Sequence, residues 1–211
     1  MAPKQVKGSC TLCGKECTRQ GMTKHLEKCL HDRTGKTKAE AAPCFHLLVT
    51  ARNSSAYWLH LMVAASASLK ALDGFLRQTW LECCGHMSAF RSNRREVGMS
   101  RKLAATLEPG MVLDYEYDFG DTTALQIKVL GQYAAPVAPR KPVEILARNQ
   151  NPHVPCDVCG KAAAVWICPT CQWEEQGWLC RACKETHSCG DEEYLLPVVN
   201  SPRAGVCGYT G

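Results

Sequence analysis

The sequence predicts an α+β protein in which a small mixed or antiparallel sheet with one main helix is flanked by two cysteine-rich modules. Three observations support this fold class. Short apolar stretches at strand spacing surround one amphipathic helix pattern in the middle of the 211 residues. Strands and helices do not alternate regularly, which excludes a doubly wound sheet. Closely spaced cysteine pairs gather near both ends of the chain.

Composition divides the chain into four parts. Residues 1–35 and 151–211 hold the cysteine pairs, 36–43 form a polar linker, and 44–150 carry the long apolar pattern. No secretory signal or bilayer-length apolar run is present, so we expect a cytoplasmic protein that does not enter a membrane. In that compartment thiols stay reduced, and the fifteen cysteines are better explained as metal ligands than as disulfides.

The middle part predicts most of the secondary structure. Its helix begins after the N-cap Ser68 and extends over 69–81, with apolar residues on one face. A second, brief helix is predicted over 101–107, capped by Ser100. Strands are predicted over 45–52, 56–64, 87–91, 111–119, 124–130 and 143–148.

The C-terminal part contains eight soft ligands in four pairs. Two-residue gaps let a tight backbone turn present both thiolates to one zinc ion, so eight ligands predict two zinc ions. We expect a cross-brace, in which alternate pairs share a metal, because the order of the pairs resembles that of B-box modules; sequential pairing is the alternative arrangement. His153 or Cys207 could replace a member of the tight last pair. The predicted ligands are Cys156, Cys159, Cys168, Cys171, Cys180, Cys183, His187 and Cys189.

The N-terminal part predicts a zinc finger. Cys10 and Cys13 form a two-residue-gap pair, and His25 and Cys29 are four residues apart, so that a helix over 20–30 places both on one face. Cys17 is a possible substitute ligand or a bystander. With the C-terminal pairs, we expect about three zinc ions per chain.

Charge is uneven along the chain. Residues 1–43 hold nine Lys and Arg against four Asp and Glu, and residues 151–211 hold four against seven. The basic finger is therefore the candidate for nucleic-acid contact through Lys15, Arg19, Lys24 and Lys28. The alternative is a solvated face on a small finger, or a protein-binding finger. A single finger reads few bases, so we do not expect sequence-specific DNA binding by this finger alone. The C-terminal module is a candidate for binding a protein partner. Its acidic DEEY at 191–194 either serves that contact or, as the better explanation, is plain solubilising surface.

Residues 114–121, DYEYDFGD, suggest a minority catalytic hypothesis. Carboxylates at alternate strand positions can hold Mg²⁺. The ordinary explanation is a strand with one wet face, whose Leu113, Tyr115, Tyr117 and Phe119 point to the core, with Lys128 opposite the acids. The candidates for this site are Asp114, Glu116, Asp118, Asp121 and His86.

The middle part resembles the plasmid pRiA4b ORF-3-like family, some of whose members are transposon passenger proteins. The resemblance is carried by AYWLHLMVAASASLKALDGFLRQTW, HMSAF and EPGMVLDYEYDFGD, and the C-terminal WLCRACKETHSCGDEEYLLPVVNSPRAGVCGYTG is similar to the tail of longer members. It covers most of 45–211 and implies a compact α+β domain without an established activity, from a bacterium or archaeon. The chain departs from the family in Thr122 to Leu125, after FGD, and in the reduced His stretch His86-Met87-Ser88.

Three functions follow as hypotheses. The first is a non-enzymatic zinc-binding adaptor or regulator of mobile-element type, which contacts nucleic acid or a protein through its zinc modules. The second is a metal-dependent hydrolase or nuclease that uses the acidic strand. The third is a regulator of the defence or toxin–antitoxin type, whose zinc tail binds a protein partner.

Overall fold

The structure is a computed structural model that describes residues 6–34, 41–136, 141–189 and 194–211. In chain order the helices are α1 (Arg19–Thr34), α2 (Leu69–Leu76) and α3 (Arg181–Lys184). The strands are β1 (Lys7–Cys10), β2 (Glu16–Thr18), β3 (Ala42–Ala51), β4 (Trp58–Ala64), β5 (Ser88–Ser92), β6 (Arg95–Val97), β7 (Val112–Tyr117), β8 (Thr123–Ala135), β9 (Val143–Asn149), β10 (Trp166–Ile167), β11 (Trp178–Leu179) and β12 (Leu196–Pro197).

The first nine strands form one sheet in the order β2-β1-β9-β4-β3-β8-β7-β5-β6. Every strand pairing within it is antiparallel. The sheet is thus larger than the small sheet we predicted. The prediction of one main helix is not confirmed either, because the longest helix is α1, in the finger, and α2 has only eight residues.

Strand β4 lies in the interior of the sheet and is buried at all seven positions, because helices cover both faces of the sheet. One face packs against α2, whose Leu69, Leu72 and Leu76 are fully buried. The other face carries Trp58 and Met62, which pack against α1. A strand covered on both faces reads as a near-continuous apolar run, and WLHLMVA is apolar except for His60.

The finger is joined to the edge of the sheet rather than separated from it. Strand β1 pairs with β9, with Gly8 opposite Asn149. A side chain at Gly8 would collide with the Trp58 ring and the Arg148 carbonyl. The apolar stripe of α1, formed by the fully buried Met22, Leu26 and Leu30, faces the same Trp58 cluster.

The predicted N-cap of α2 is present, since Ser68 Oγ accepts a hydrogen bond from the Ala71 N–H at 3.2 Å. The helix changes to a π-helical turn over Arg77–Leu81, which completes the predicted 69–81 span. The predicted helix over 101–107 is wrong in extent: a 3-10 turn occupies Leu103–Ala105, and Ser100 does not cap it.

Strands β7 and β8 form the predicted hairpin, and Leu113, Tyr115 and Tyr117 are fully buried. The alternation ends there. Asp118 adopts a left-handed backbone conformation (φ 65°), so its side chain turns inward and Phe119 turns out, 50% exposed. The prediction that Phe119 faces the core was therefore wrong.

Strands β10 to β12 form a second, three-stranded antiparallel sheet in the order β11-β10-β12. Its apolar core is small, with Ile167 and Leu179 fully buried and Ala164 nearly so. In the portion of the chain that the structure describes, no helix is long and apolar enough to cross a membrane.

Candidate metal centres

The four C-x-x-C pairs share one backbone geometry. In each, the carbonyl of the first cysteine accepts a hydrogen bond from the N–H four residues later, which closes a tight turn with both thiols on the same side. Glycine follows two of the pairs and adopts the left-handed conformation there, as Gly14 (φ 76°) and Gly160 (φ 64°). The bonds run from Gly14 to Cys10 and Gly160 to Cys156 at 2.8 Å, and from Gln172 to Cys168 and Lys184 to Cys180 at 3.0 Å.

The finger cluster consists of Cys10, Cys13, His25 and Cys29, whose ligand atoms all lie within 4.8 Å of one another. Cys10 ends β1, and α1 presents His25 and Cys29 from consecutive turns. Cys13 Sγ and His25 Nε2 are 3.2 Å apart. Cys17 lies outside this group, so the structure brings together the four residues that the spacing predicted.

The C-terminal residues form two clusters by alternate pairs. We call them the first brace cluster and the second brace cluster, and in each the four ligand atoms lie within 4.8 Å of one another. This grouping is that of a cross-brace and differs from sequential pairing. The first brace cluster is Cys156, Cys159, Cys180 and Cys183; the second is Cys168, Cys171, His187 and Cys189.

The spacing of these atoms fits a tetrahedral metal site. Zinc–sulfur bonds of ~2.3 Å and zinc–nitrogen bonds of ~2.1 Å place tetrahedral ligand atoms about 3.6–3.8 Å apart. The observed separations are 3.9 Å for Cys159 and Cys180, 3.5 Å for Cys168 and Cys189, and 3.7 Å for Cys171 Sγ and His187 Nε2. None approaches the ~2.05 Å of a disulfide bond.

Each cluster pairs a thiol of lowered pKa with one of raised pKa. In the first brace cluster, backbone N–H groups of Ala162 and Lys161 lower the pKa of Cys159 to about 6. Hydrogen bonding to Cys180 raises the pKa of Cys183 to about 12. The other clusters show the same contrast. Crowded thiolates repel one another, and a divalent cation removes that repulsion.

A fourth cluster was missed by the sequence analysis. Its ligand atoms also lie within 4.8 Å of one another, and we call it the tail cluster: Cys83, Cys84, His86 and Cys207. Sequence reasoning treated Cys207 as a substitute ligand for the C-terminal module and His86 as a partner of the acids. The signal that could have revealed it is the run Cys-Cys-Gly-His together with a further cysteine near the C-terminus.

The acidic candidates lie in separate environments. Asp114 forms an ion pair with Arg52 at 3.5 Å, and Glu116 forms one with Arg91 at 3.0 Å. Lys128 is opposite Val112, so the expectation that it balances the acids was wrong. In the described parts of the chain, none of the four acids belongs to a group of three or more potential metal ligands.

Asp118 is not on the wet face of the strand. It is 5% exposed, and its Oδ2 accepts a hydrogen bond from Arg203 at 2.6 Å. That hydrogen bond holds the pKa of Asp118 below its usual value. His86 Nε2 is 3.4 Å from the same oxygen, while Asp121 is exposed and its carbonyl accepts from Arg203.

The basic candidates are only partly available to a partner. Lys15, Lys24 and Lys28 are exposed, whereas Arg19 is half-buried. Lys24 and Lys28 lie on the face of α1 opposite its buried stripe. His153 joins none of the clusters found in the described residues, and most of the acidic 191–194 segment lies outside those residues.

No family model matches the chain, and no curated protein matches it. Among solved structures, the chain is similar to the crystal structure of a protein of unknown function, MM3350 from Methanosarcina mazei Go1. The identity is 14% and the TM-score is 0.41, over 46% of this chain and 64% of that one. The match therefore spans slightly less than two thirds of that protein.

Proposed function

We propose that the protein is a non-enzymatic zinc-binding adaptor whose finger and brace clusters each hold one structural zinc ion. The observation that carries this is the convergence of the twelve predicted ligands into three groups of four, with the ligand atoms of each group within 4.8 Å of one another. Four protein ligands fill the tetrahedral sphere of zinc and leave no open position for a substrate or water. Cysteine and histidine in these combinations are the usual ligands of structural zinc.

The two brace clusters would stabilise a module that has only a small apolar core. The C-terminal sheet contains three strands of only two residues each, and its fully buried apolar side chains are few. So small a core supplies little folding free energy. Metal binding, worth about 10 kcal/mol or more in small zinc domains, is the term that stabilises such a module.

The surroundings of the acids support a non-enzymatic function. Asp114 pairs with Arg52, which follows β3, Glu116 pairs with Arg91 on the neighbouring β5, and Asp118 pairs with the buried Arg203. An Mg²⁺ site needs several carboxylate oxygens that converge and remain free to coordinate. The hydrolase hypothesis is therefore the weaker alternative.

Exposed aromatic side chains on the C-terminal module favour a protein partner. Trp173 is 76% exposed and Tyr194 is 73% exposed. Large aromatic residues are enriched where proteins bind each other. Together with the resemblance to the pRiA4b ORF-3-like family, this supports a regulatory adaptor of mobile-element type, with the regulator of defence type as the related alternative.

Nucleic-acid contact by the finger is a second candidate function, favoured by exposed Lys24 and Lys28 on the outer face of α1. Glu27 and Asp32 share the exposed surface of this helix and reduce its positive charge. Fluorescence anisotropy with a random-sequence oligonucleotide should show weaker binding by Lys24→Gln/Lys28→Gln and a salt slope reduced by about 1–2. The control replaces two exposed lysines elsewhere, Lys70→Gln/Lys128→Gln; equal effects would remove the finger from this function.

Metal analysis tests the main proposal. Protein purified without added metal should contain at least three zinc ions per chain. Replacing the first two cysteines of one cluster by serine should remove one zinc each: Cys10→Ser/Cys13→Ser, Cys156→Ser/Cys159→Ser and Cys168→Ser/Cys171→Ser. The matched control Cys17→Ser changes a half-buried cysteine outside the clusters, and this variant should retain all of its zinc ions. Fewer than two zinc ions in the unaltered protein would overturn the proposal.

A further inference from the structure

The tail cluster joins two parts of the chain that are far apart in sequence. Cys83, Cys84 and His86 lie in the connection between the π-helical turn and β5, and Cys207 lies in the C-terminal tail. Cys84 Sγ is 3.6 Å from Cys83 Sγ and 3.6 Å from Cys207 Sγ. His86 Nε2 is 2.9 Å from Cys84 Sγ and 3.2 Å from Cys207 Sγ.

The two sulfur–sulfur distances correspond to ligands around one metal ion, whereas the two sulfur–nitrogen distances are shorter than the ~3.6 Å of a tetrahedral site. Sulfur atoms bound tetrahedrally to zinc are about 3.8 Å apart, whereas a disulfide brings them to ~2.05 Å. The ligand set of three cysteines and one histidine is also that of the finger cluster and the second brace cluster. The donor chemistry therefore fits zinc as well as it does at the predicted centres.

The tail is held in place beside this cluster by buried contacts. Ser201 Oγ donates a hydrogen bond to the Trp80 carbonyl at 2.5 Å. The fully buried Arg203 donates to Asp118, and its guanidinium lies over the Tyr117 ring, 4.8 Å from the centroid. Four residues later the chain reaches Cys207 in a left-handed conformation (φ 50°), which aims the thiol at the 83–86 loop.

Arg203 also provides positive charge next to the thiols. Burial raises the pKa of Cys83, but the neighbouring Arg203, Cys84 and Tyr117 together outweigh burial, and the pKa lies below its usual value. Three thiolates, one histidine and Zn²⁺ carry a net charge of about −1. A guanidinium at this position stabilises such a complex.

We propose that Cys83, Cys84, His86 and Cys207 bind a zinc ion that fastens the C-terminal tail to the central sheet. This site is additional to the three centres of the proposed function, and either assignment can fail without the other. Cys84 and Cys207 are exposed, whereas the finger and brace clusters each contain at least one buried cysteine. The zinc of the tail cluster is thus the most accessible to solvent.

Native mass spectrometry of the full-length protein, purified under reducing conditions, tests this site. The unaltered protein should carry four zinc ions, and Cys84→Ser/Cys207→Ser should carry three. Hydrogen–deuterium exchange should show amides of 201–209 exchanging at least tenfold faster in the variant. The matched control is Cys17→Ser, which should keep four zinc ions and the slow exchange.

The single variant His86→Asn controls for a general loss of folding in the double variant. If His86→Asn loses one zinc ion and keeps an unchanged circular dichroism spectrum, the result supports the site. Three zinc ions in the unaltered protein and in both variants would overturn the tail site and leave the proposed function intact. A Cys84–Cys207 disulfide in the reduced preparation would also overturn it. Fewer than two zinc ions in the unaltered protein would instead contradict the proposed function.

Discussion

Arg203 and Asp118 form a buried ion pair that connects residues 85 positions apart, with 2.6 Å between the Nη2 and Oδ2 atoms. The Arg203 side chain is fully buried and that of Asp118 is 7% exposed. Arg203 also donates to Thr123 Oγ1 and to the Asp121 carbonyl, each at 3.1 Å. Asp118 therefore holds the tail on the β7–β8 hairpin.

The first prediction concerns this pair. Arg203→Met should lower the free energy of unfolding by about 3 kcal/mol, because it leaves the Asp118 carboxylate buried without its partner. Urea denaturation of the single and double variants checks this. Asp118→Asn in the Arg203→Met background should recover part of the loss, since Asn accepts the left-handed conformation without the charge.

The control is Glu116→Gln, which removes a partly exposed ion pair and should cost less than about 1 kcal/mol. If Arg203→Met were as mild as this control, the pair would not hold the tail. A metal-dependent hydrolytic activity that Asp118→Asn and Glu116→Gln abolish without loss of stability would restore the catalytic hypothesis.

The second prediction concerns pH. His46 Nε2 and His60 Nδ1 are 2.9 Å apart, and both residues are buried. Burial lowers the pKa of His46 to about 4, and burial together with the neighbouring His46 lowers that of His60 to about 3. Both folded pKa values lie below the ordinary 6.5. The stability that the two neutral histidines contribute is therefore fully present above pH 6.5 and is lost as the pH falls toward 4.

Stability should therefore fall by about 1 kcal/mol per pH unit for each histidine in that window. His46→Gln/His60→Asn keeps hydrogen-bonding atoms near the two nitrogens but does not titrate. Acid also weakens zinc binding, and this affects both proteins alike, so the informative quantity is the difference in slope between them. If the free energy of unfolding had the same pH dependence in the unaltered protein and the double variant from pH 7 to pH 5, this role of the histidine pair would be contradicted.

The third prediction tests how the finger joins the sheet. Gly8→Ala should destabilise the protein by about 1–3 kcal/mol, because the new methyl group meets the buried Trp58 ring and the Arg148 carbonyl. Thermal unfolding measures the effect. Gly74→Ala is the matched control: it lies on the exposed side of α2 with open space around it, and should stabilise by about 0.5–1 kcal/mol. Equal effects would contradict the docking of β1.

Sequence reasoning succeeded where structure is local. The Ser68 cap, the helix that follows it and the four C-x-x-C turns depend on neighbours within a few residues. It failed where the outcome depends on distant parts. The tail cluster needs Cys207 to meet a loop more than a hundred residues away, and no spacing rule expresses that.

The acidic stretch shows the same limit on a smaller scale. Strict alternation predicted Asp118 outside and Phe119 inside, but the left-handed conformation of Asp118 reverses both. The attraction that fixes this conformation comes from Arg203, in the tail. Strand β1 was missed for a related reason, because KGSC has no apolar alternation and is a strand only by pairing with β9.

The fourth prediction concerns metal removal. Stepwise addition of a chelator should release the zinc of the tail cluster first, because its Cys84 and Cys207 are exposed. Further removal should abolish amide protection in β10–β12 before the nine-stranded sheet opens, since that module has few buried apolar side chains. Hydrogen–deuterium exchange at each chelator step checks the order. Simultaneous loss of protection throughout the chain would contradict it.

X-ray absorption at the zinc edge of the purified protein tests the central claim most directly. The four clusters offer thirteen cysteine and three histidine ligands. We expect a first shell dominated by sulfur at ~2.3 Å, with roughly four sulfur atoms for each nitrogen at ~2.1 Å. A shell of oxygen and nitrogen alone, without the sulfur contribution, would contradict it.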